Sequence, residues 1–208
     1  MRRCVIVGGA PITRPDEIKK YFRDDDFFVY CDCGLDHASA LGRGAKLIVG
    51  DFDSHARPLS DVETIVLPHE KDDTDTEFAV KEVLRRGFRD FLLVGAAGAR
   101  LDHTLGNLAL LLWLDSLGAR AVLVDDFSEM EIVSRRETEI SDDFAYFSLL
   151  AVDGTATGVT VTGAKFPLRG AEISCEHSLG VSNEVLPGER ARVRVDCGRL
   201  LLVRVRGE

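Results

Sequence analysis

The chain has 208 residues, 45% of them hydrophobic and 29% charged, with a formal net charge of −9. That length and composition allow a packed core, in one large domain or two modest ones, and exclude a disordered polymer. The charge speaks against a nucleic-acid ligand and against an anionic membrane surface, so an anionic substrate has to be met locally by a metal ion and a few basic groups.

Met1-Arg2-Arg3 opens onto a first strand, Cys4-Val5-Ile6-Val7, ended by Gly8-Gly9. A helix is predicted near 15–23, then a strand Phe27-Phe28-Val29-Tyr30 ending in Cys31-Asp32-Cys33-Gly34, and a helix near 35–42. Lys46 to Val49 forms the next strand and runs into Gly50-Asp51-Phe52-Asp53-Ser54. Helices near 76–86 and 102–117 flank a strand Phe91-Leu92-Leu93-Val94 ended by Gly95, and Ala121-Val122-Leu123-Val124 closes the series at Asp125-Asp126. Short, continuously apolar strands separated by helices indicate a mostly parallel, Rossmann-like sheet covered on both faces, with its site beyond the C-terminal ends of the strands. Residues 1–128 are therefore expected to form an α/β domain.

From about residue 129 to 208 the texture changes to short alternating strands and glycine turns, which predicts an all-β half, a small sandwich or barrel. Arg192 to Val195 and Leu201 to Arg206 flank Asp196-Cys197-Gly198-Arg199, the pattern of a hairpin, and its arginine row reads as a solvated sheet face or a guarded edge, not a binding patch. The longest apolar run, Leu108 to Leu114, is too short to span a bilayer. Five cysteines without a C-x-x-C pair indicate reduced thiols and no four-ligand zinc site. A cytoplasmic protein is expected.

Three polar clusters fall at the predicted strand ends. In the first, Asp51 and Asp53 stand two apart, so on an extended chain their carboxylates converge on one hard cation such as Mg²⁺ while Phe52 turns inward. The second is Lys71-Asp72-Asp73-Thr74-Asp75-Thr76-Glu77. Thr74 and Glu77 form a capping box, and the helix dipole alone accounts for Asp75 and Glu77 but not for Lys71 or Asp72, which suit a site for metal and phosphate together. The third runs from Gly95 to Asn107: small residues for close backbone approach, Arg100 as a phosphate clamp, Asp102 as a helix cap, and His103 and Asn107 on one helix face.

Taken with Asp32-Cys33-Gly34 and Ser182-Asn183-Glu184, these motifs resemble the thiamine pyrophosphokinase (thiamine diphosphokinase) family in content, order and spacing. The resemblance implies an ATP- and Mg²⁺-binding catalytic domain over 1–128, a thiamine-binding β-sandwich over 129–208, and a homodimer with its active sites between subunits. It also implies transfer of a whole diphosphate from ATP to the hydroxyl of thiamine, with release of AMP. Position by position, Asp51, Asp53 and Asp72 match metal ligands, with Asp75 near by and with Arg100 joining them in catalysis. Lys71, Thr74, Asp75, Asp102, His103 and Asn107 fall on the nucleotide side. Ser182 and Asn183 would face thiamine, in their own or the partner subunit, and Asp32 would complete an acidic rim for it. The aspartate that accepts the hydroxyl proton is left open. Cys33 and Ala99 stand where the family usually has glycine. The alternatives are a pyrophosphokinase for another alcohol such as a hydroxymethylpterin, a metal-dependent phosphohydrolase, and a non-catalytic nucleotide or thiamine-binding module.

Overall fold

A computed structural model of the chain describes residues 2–52, 61–68, 70, 72–98 and 100–207. Asp53, Lys71 and Ala99 lie outside the described residues. The chain divides into two compact units, Met1–Asp126 and Phe127–Glu208.

The first unit runs β1 (Cys4–Val7), α1 (Pro15–Lys19), β2 (Phe27–Cys31), a 3-10 helix (Asp32–His37), α2 (Ala38–Leu41), β3 (Leu47–Gly50), β4 (Thr64–Val66), α3 (Asp75–Arg85), β5 (Asp90–Val94), α4 (Leu101–Ser116) and β6 (Arg120–Val124). Its strands lie in the order β4-β3-β2-β1-β5-β6, each parallel to its neighbours. Every residue of β1 and β3 is buried, as an interior parallel strand requires. Val5, Val7, Phe28, Tyr30, Leu92 and Val94 form one core with Ile18 of α1 and Leu41 of α2. The alternate residues, Cys4, Ile6 and Val29, point to the opposite face, and α3 packs on β1, β2 and β3. The register aligns Val7 with Tyr30 and with Val94, so the loops after β1, β2 and β5 leave the sheet at one edge.

Two predicted helices are shorter than expected. The first ends at Lys19, beyond which Phe22 meets Phe28 edge-on with ring centroids 4.9 Å apart. The second is split into the 3-10 turn and α2, which ends on Gly42 in the left-handed conformation. β4 has no counterpart in the prediction: it is a three-residue edge strand whose Val66 is exposed, too short to carry a periodic signal.

The second unit contains β7 (Ser128–Val133), β8 (Thr138–Ser141), β9 (Tyr146–Leu150), β10 (Thr155–Thr162), β11 (Leu168–Ser174), β12 (Arg190–Arg194) and β13 (Leu200–Val205). They pair antiparallel as β7-β13-β9 and as β11-β10-β12-β8. Both sets feed one core, with Val133, Phe147, Leu200 and Leu202 from the first and Ile140, Val159, Val161 and Val193 from the second. The predicted hairpin between the last two strands is not formed. β12 and β13 belong to different sets, and the turn between them pairs Cys197 with Thr157. Each strand buries its alternate residues in the shared core, so the connection crosses the core instead of folding back. The outer arginines of β12 are solvated, with Arg192 3.1 Å from Glu139, but Arg204 of β13 is buried and paired with Glu129 and Glu131, so the arginine row is not a solvated face throughout. Among the described residues no helix is long and apolar enough to cross a membrane.

Candidate active site

At the edge where β1 and β5 end, two glycine loops touch backbone to backbone. Gly8 donates its N–H to Val94 O at 2.8 Å and Ala10 to Gly95 O at 2.9 Å. A Cβ on Gly8 would lie 2.6 Å from Gly95 O, and one on Gly95 would lie 2.4 Å from Gly8 O, so each glycine fills the space the other's side chain would need. α4 grips the second loop: Asn107 Nδ2 donates to Ala96 O at 2.7 Å, and Thr104 Oγ accepts the Gly98 N–H at 3.1 Å while donating to Arg100 O at 3.1 Å. The first loop is pinned farther along. Asp126 accepts from Thr13 N at 2.7 Å, Thr13 Oγ at 2.6 Å and Arg14 N at 2.9 Å, and His37 Nε2 lies 3.0 Å from Ala10 O. Burial pushes the Asp126 carboxyl up, but these three donors outweigh it and hold the group below the usual carboxylate range.

After β2 the chain turns sharply at Asp32, whose φ of 42° is rare for a residue with a side chain. The end of β3 closes against it, since a Cβ on Gly50 would lie 3.2 Å from Asp32 Cα. Cys33 Sγ donates to Asp32 Oδ2 at 3.1 Å, and this bond with partial burial pushes the Cys33 thiol up to about 11. Burial, reinforced by Asp75, drives the Cys31 thiol higher still, leaving it an unreactive core group. Asp51 follows β3 directly and is half-buried. Phe52 adopts a φ of 54°, so the strand alternation invoked to align Asp51 with Asp53 does not continue through this segment, and Asp53 lies outside the described residues.

α3 begins as the capping box predicts, with Thr74 Oγ accepting the Glu77 N–H at 3.1 Å. Asp72 is exposed just before it. Lys81, one and a half turns into the helix, reaches back to Asp73 at 2.6 Å and to Glu77 at 2.9 Å, steadying the turn that carries Asp72. α4 begins two residues earlier than a capping Asp102 would require. Arg100 is the N-cap, and Asp102 lies inside the first turn, with Arg100 Nε at 2.9 Å from one carboxylate oxygen and Nη2 at 2.6 Å from the other. That fork, helped by the His103 N–H, holds the Asp102 carboxyl well below its usual range.

These elements enclose a cavity of about 360 Å³. Of the predicted residues it gathers Asp32, Thr74, Asp75, Arg100, His103 and Asn107, while Asp51, Asp72 and Asp102 are not among those lining it. It also takes in Gly8, Gly9, Thr76 and Thr104, to which the sequence reading gave no role in the site. The Gly8-Gly9 pair directly after a buried strand was the signal for the first two. Among the described residues no three His, Cys, Asp or Glu side chains converge as a metal-binding group. Asp51 and Asp72 nevertheless offer hard carboxylate oxygens, and Mg²⁺ is commonly held by one or two carboxylates with substrate phosphates completing its shell.

Ser182 and Asn183 belong to the second unit. Ser182 is exposed with a φ of 56°, and its N–H donates to Ser148 Oγ at 3.0 Å. Asn183 is buried, and its side chain brackets Phe166: Oδ1 accepts the Phe166 N–H at 3.0 Å and Nδ2 donates to Phe166 O at 2.8 Å.

Comparison with known proteins finds two family models along the chain. Residues 18–123 match the thiamin pyrophosphokinase catalytic domain, and residues 130–200 match the thiamin pyrophosphokinase vitamin B1 binding domain. A thiamine pyrophosphokinase from Bacillus subtilis (strain 168) is 26% identical over 194 residues, covering 89% of this chain and 91% of that one. A crystal structure of thiamine pyrophosphokinase from Bacillus subtilis shares the fold at a TM-score of 0.87 and 22% identity, covering all of both chains. One from Geobacillus thermodenitrificans gives 0.84 and 27%, covering 100% of this chain and 99% of that one.

Proposed function

The chain belongs to the thiamin pyrophosphokinase family, and from that premise we propose how its residues serve the reaction. The protein is a transferase that moves the diphosphate of ATP to the hydroxyl of thiamine, yielding thiamine diphosphate and AMP. The thiamine oxygen forms a bond to the β-phosphorus as the bond from that phosphorus to the oxygen of the departing AMP breaks, and the hydroxyl proton passes to an aspartate.

The observation that carries the assignment of roles is the cavity at the ends of β1, β2 and β5, walled by glycine backbone and edged by Arg100 and Asp32. Bare backbone loops admit a polyphosphate closely, and the N-terminus of α4, with no side-chain cap from Arg100, favours its negative charge. Asp102 occupies the Nε and Nη2 edge of Arg100, which aims the Nη1 edge at a phosphate oxygen. Lys71 adds a second cation. Thr74, Asp75, His103 and Asn107 shape the nucleotide side, Asn107 by holding the Ala96 carbonyl in place. The reaction of a nucleoside triphosphate calls for a divalent metal, which we assign as Mg²⁺ held by Asp51, Asp53 and Asp72. When bound, the ion neutralises charge building on the phosphate oxygens. Asp32, Ser182 and Asn183 serve thiamine, Asn183 by fixing the loop at Phe166.

We further read residues 1–128 as a Rossmann-like catalytic domain, residues 129–208 as a thiamine-binding β-sandwich, and the working enzyme as a cytoplasmic homodimer with active sites at the subunit interface. Phosphorus NMR of the protein with ATP, MgCl₂ and thiamine tests the reaction. Thiamine diphosphate and AMP should appear in equal amounts and only with thiamine present; ADP or free diphosphate would overturn it.

A further inference from the structure

Asp32 is held in an orientation that a free carboxylate would leave. Its Oδ2 accepts the Cys33 thiol at 3.1 Å, while Oδ1 is buried and has no hydrogen-bond partner among the described residues. A buried oxygen without a donor is costly, so the side chain gains by turning Oδ1 out to water. The backbone adds constraint: φ at Asp32 is 42°, and the end of β3 at Gly50 closes against its Cα. Cys33 is itself wedged, since a Cβ on Gly9 would lie 2.9 Å from Cys33 Cβ, and both Asp32 and Cys33 line the cavity.

We propose that Cys33 is a positioning residue for thiamine, its thiol holding the Asp32 carboxylate in the orientation that receives the substrate. The inference rests on the assignment of Asp32 to thiamine. The thiol suits the task because it stays protonated, and so remains a donor, through the neutral range. Without that donor the carboxylate is free to rotate toward solvent, and thiamine has to reorder it on binding. In this reading Asp32 meets thiamine at the edge of the cavity while the polyphosphate lies against the glycine loops and Arg100, so the handling of ATP is unaffected.

The test compares wild type, Cys33→Ala, Cys33→Ser, Asp32→Asn and the Ala/Asn double variant by steady-state kinetics with each substrate varied in turn. Cys33→Ala should lower kcat/KM for thiamine about tenfold, the scale of one hydrogen bond to a charged group, and leave the KM for ATP unchanged. Cys33→Ser should restore most of the loss because a hydroxyl also donates. The double variant should be no worse than Asp32→Asn alone. A Cys33→Ala enzyme indistinguishable from wild type, losses that multiply in the double variant, or an ATP KM rising in step with that of thiamine would each overturn the proposal while the activity itself stands. A wild-type protein that forms no thiamine diphosphate would overturn both the proposal and the functional reading beneath it.

Discussion

Asp32, Phe52 and Ser182 are the non-glycine residues with positive φ among the described residues, and each lies in a motif that the sequence marks for metal or thiamine. Such a conformation costs on the order of 1–3 kcal/mol for a residue with a side chain, and it persists where surrounding structure imposes it. Phe52 holds its strain directly between Asp51 and Asp53. Its role is then to bend the chain so that Asp51 is delivered at a turn and not along a strand. The Asp51→Asn variant should fold normally, keep the thermal midpoint of the parent, and lose at least 100-fold in kcat, because the neutral amide supplies no anionic oxygen to a divalent ion. Steady-state turnover at saturating MgCl₂ checks this, and retention of activity would remove Asp51 from the metal site. Arg100 makes a different point. Its guanidinium is already paired with Asp102, so in the proposed role it would meet a phosphate already oriented, with less side-chain freedom to lose on binding.

At the scale of elements, α3 and α4 present opposite opportunities. Thr74 satisfies an N–H at the start of α3, and Thr74→Ala should cost about 1 kcal/mol. Gly106 lies within α4, where an added Cβ would meet nothing within 4 Å, and Gly106→Ala should stabilise the protein by about 0.5–1 kcal/mol. Urea unfolding of the two variants reads both signs. The same elements show what could be seen in the sequence. Parallel strands Cys4–Val7 and, past its first residue, Asp90–Val94 were legible because both faces are buried, leaving the apolar runs Cys4 to Val7 and Phe91 to Val94. β4 was not, since three residues carry no period. The false hairpin at Asp196 to Arg199 arose because alternation records which residues face a core but not which sheet presents them, and β12 and β13 meet the same core from different sheets. Within the site, the clusters around Asp32, Thr74 and Arg100 were legible as local motifs. The grip of Asn107 on Ala96, of Lys81 on Asp73 and of Asp126 on Thr13 was not, because each depends on chain segments brought together by folding.

For the whole molecule, the hold of Asp126 on the loop of Thr13 and Arg14 gives stability a defined response to acid. Its folded carboxyl titrates below the usual value, so the unfolded chain takes up the proton first, and the contribution present at neutral pH is lost as the pH falls below about 4 and through the folded value. Asp126→Asn should therefore lower the thermal midpoint at pH 7 by several degrees, with the gap from wild type narrowing toward pH 3. A gap that stayed constant with pH would show that the charge is not what matters. The loop held in this way is also the one whose Gly8 interlocks with Gly95, 87 positions on in the chain. At each of these glycines an added Cβ would strike the other's backbone carbonyl oxygen. Each position consequently rejects a side chain whatever stands at the other, and a library that varies both together gains nothing over one that varies either alone. A side chain at either would have to push the two loops apart, and with them one wall of the cavity.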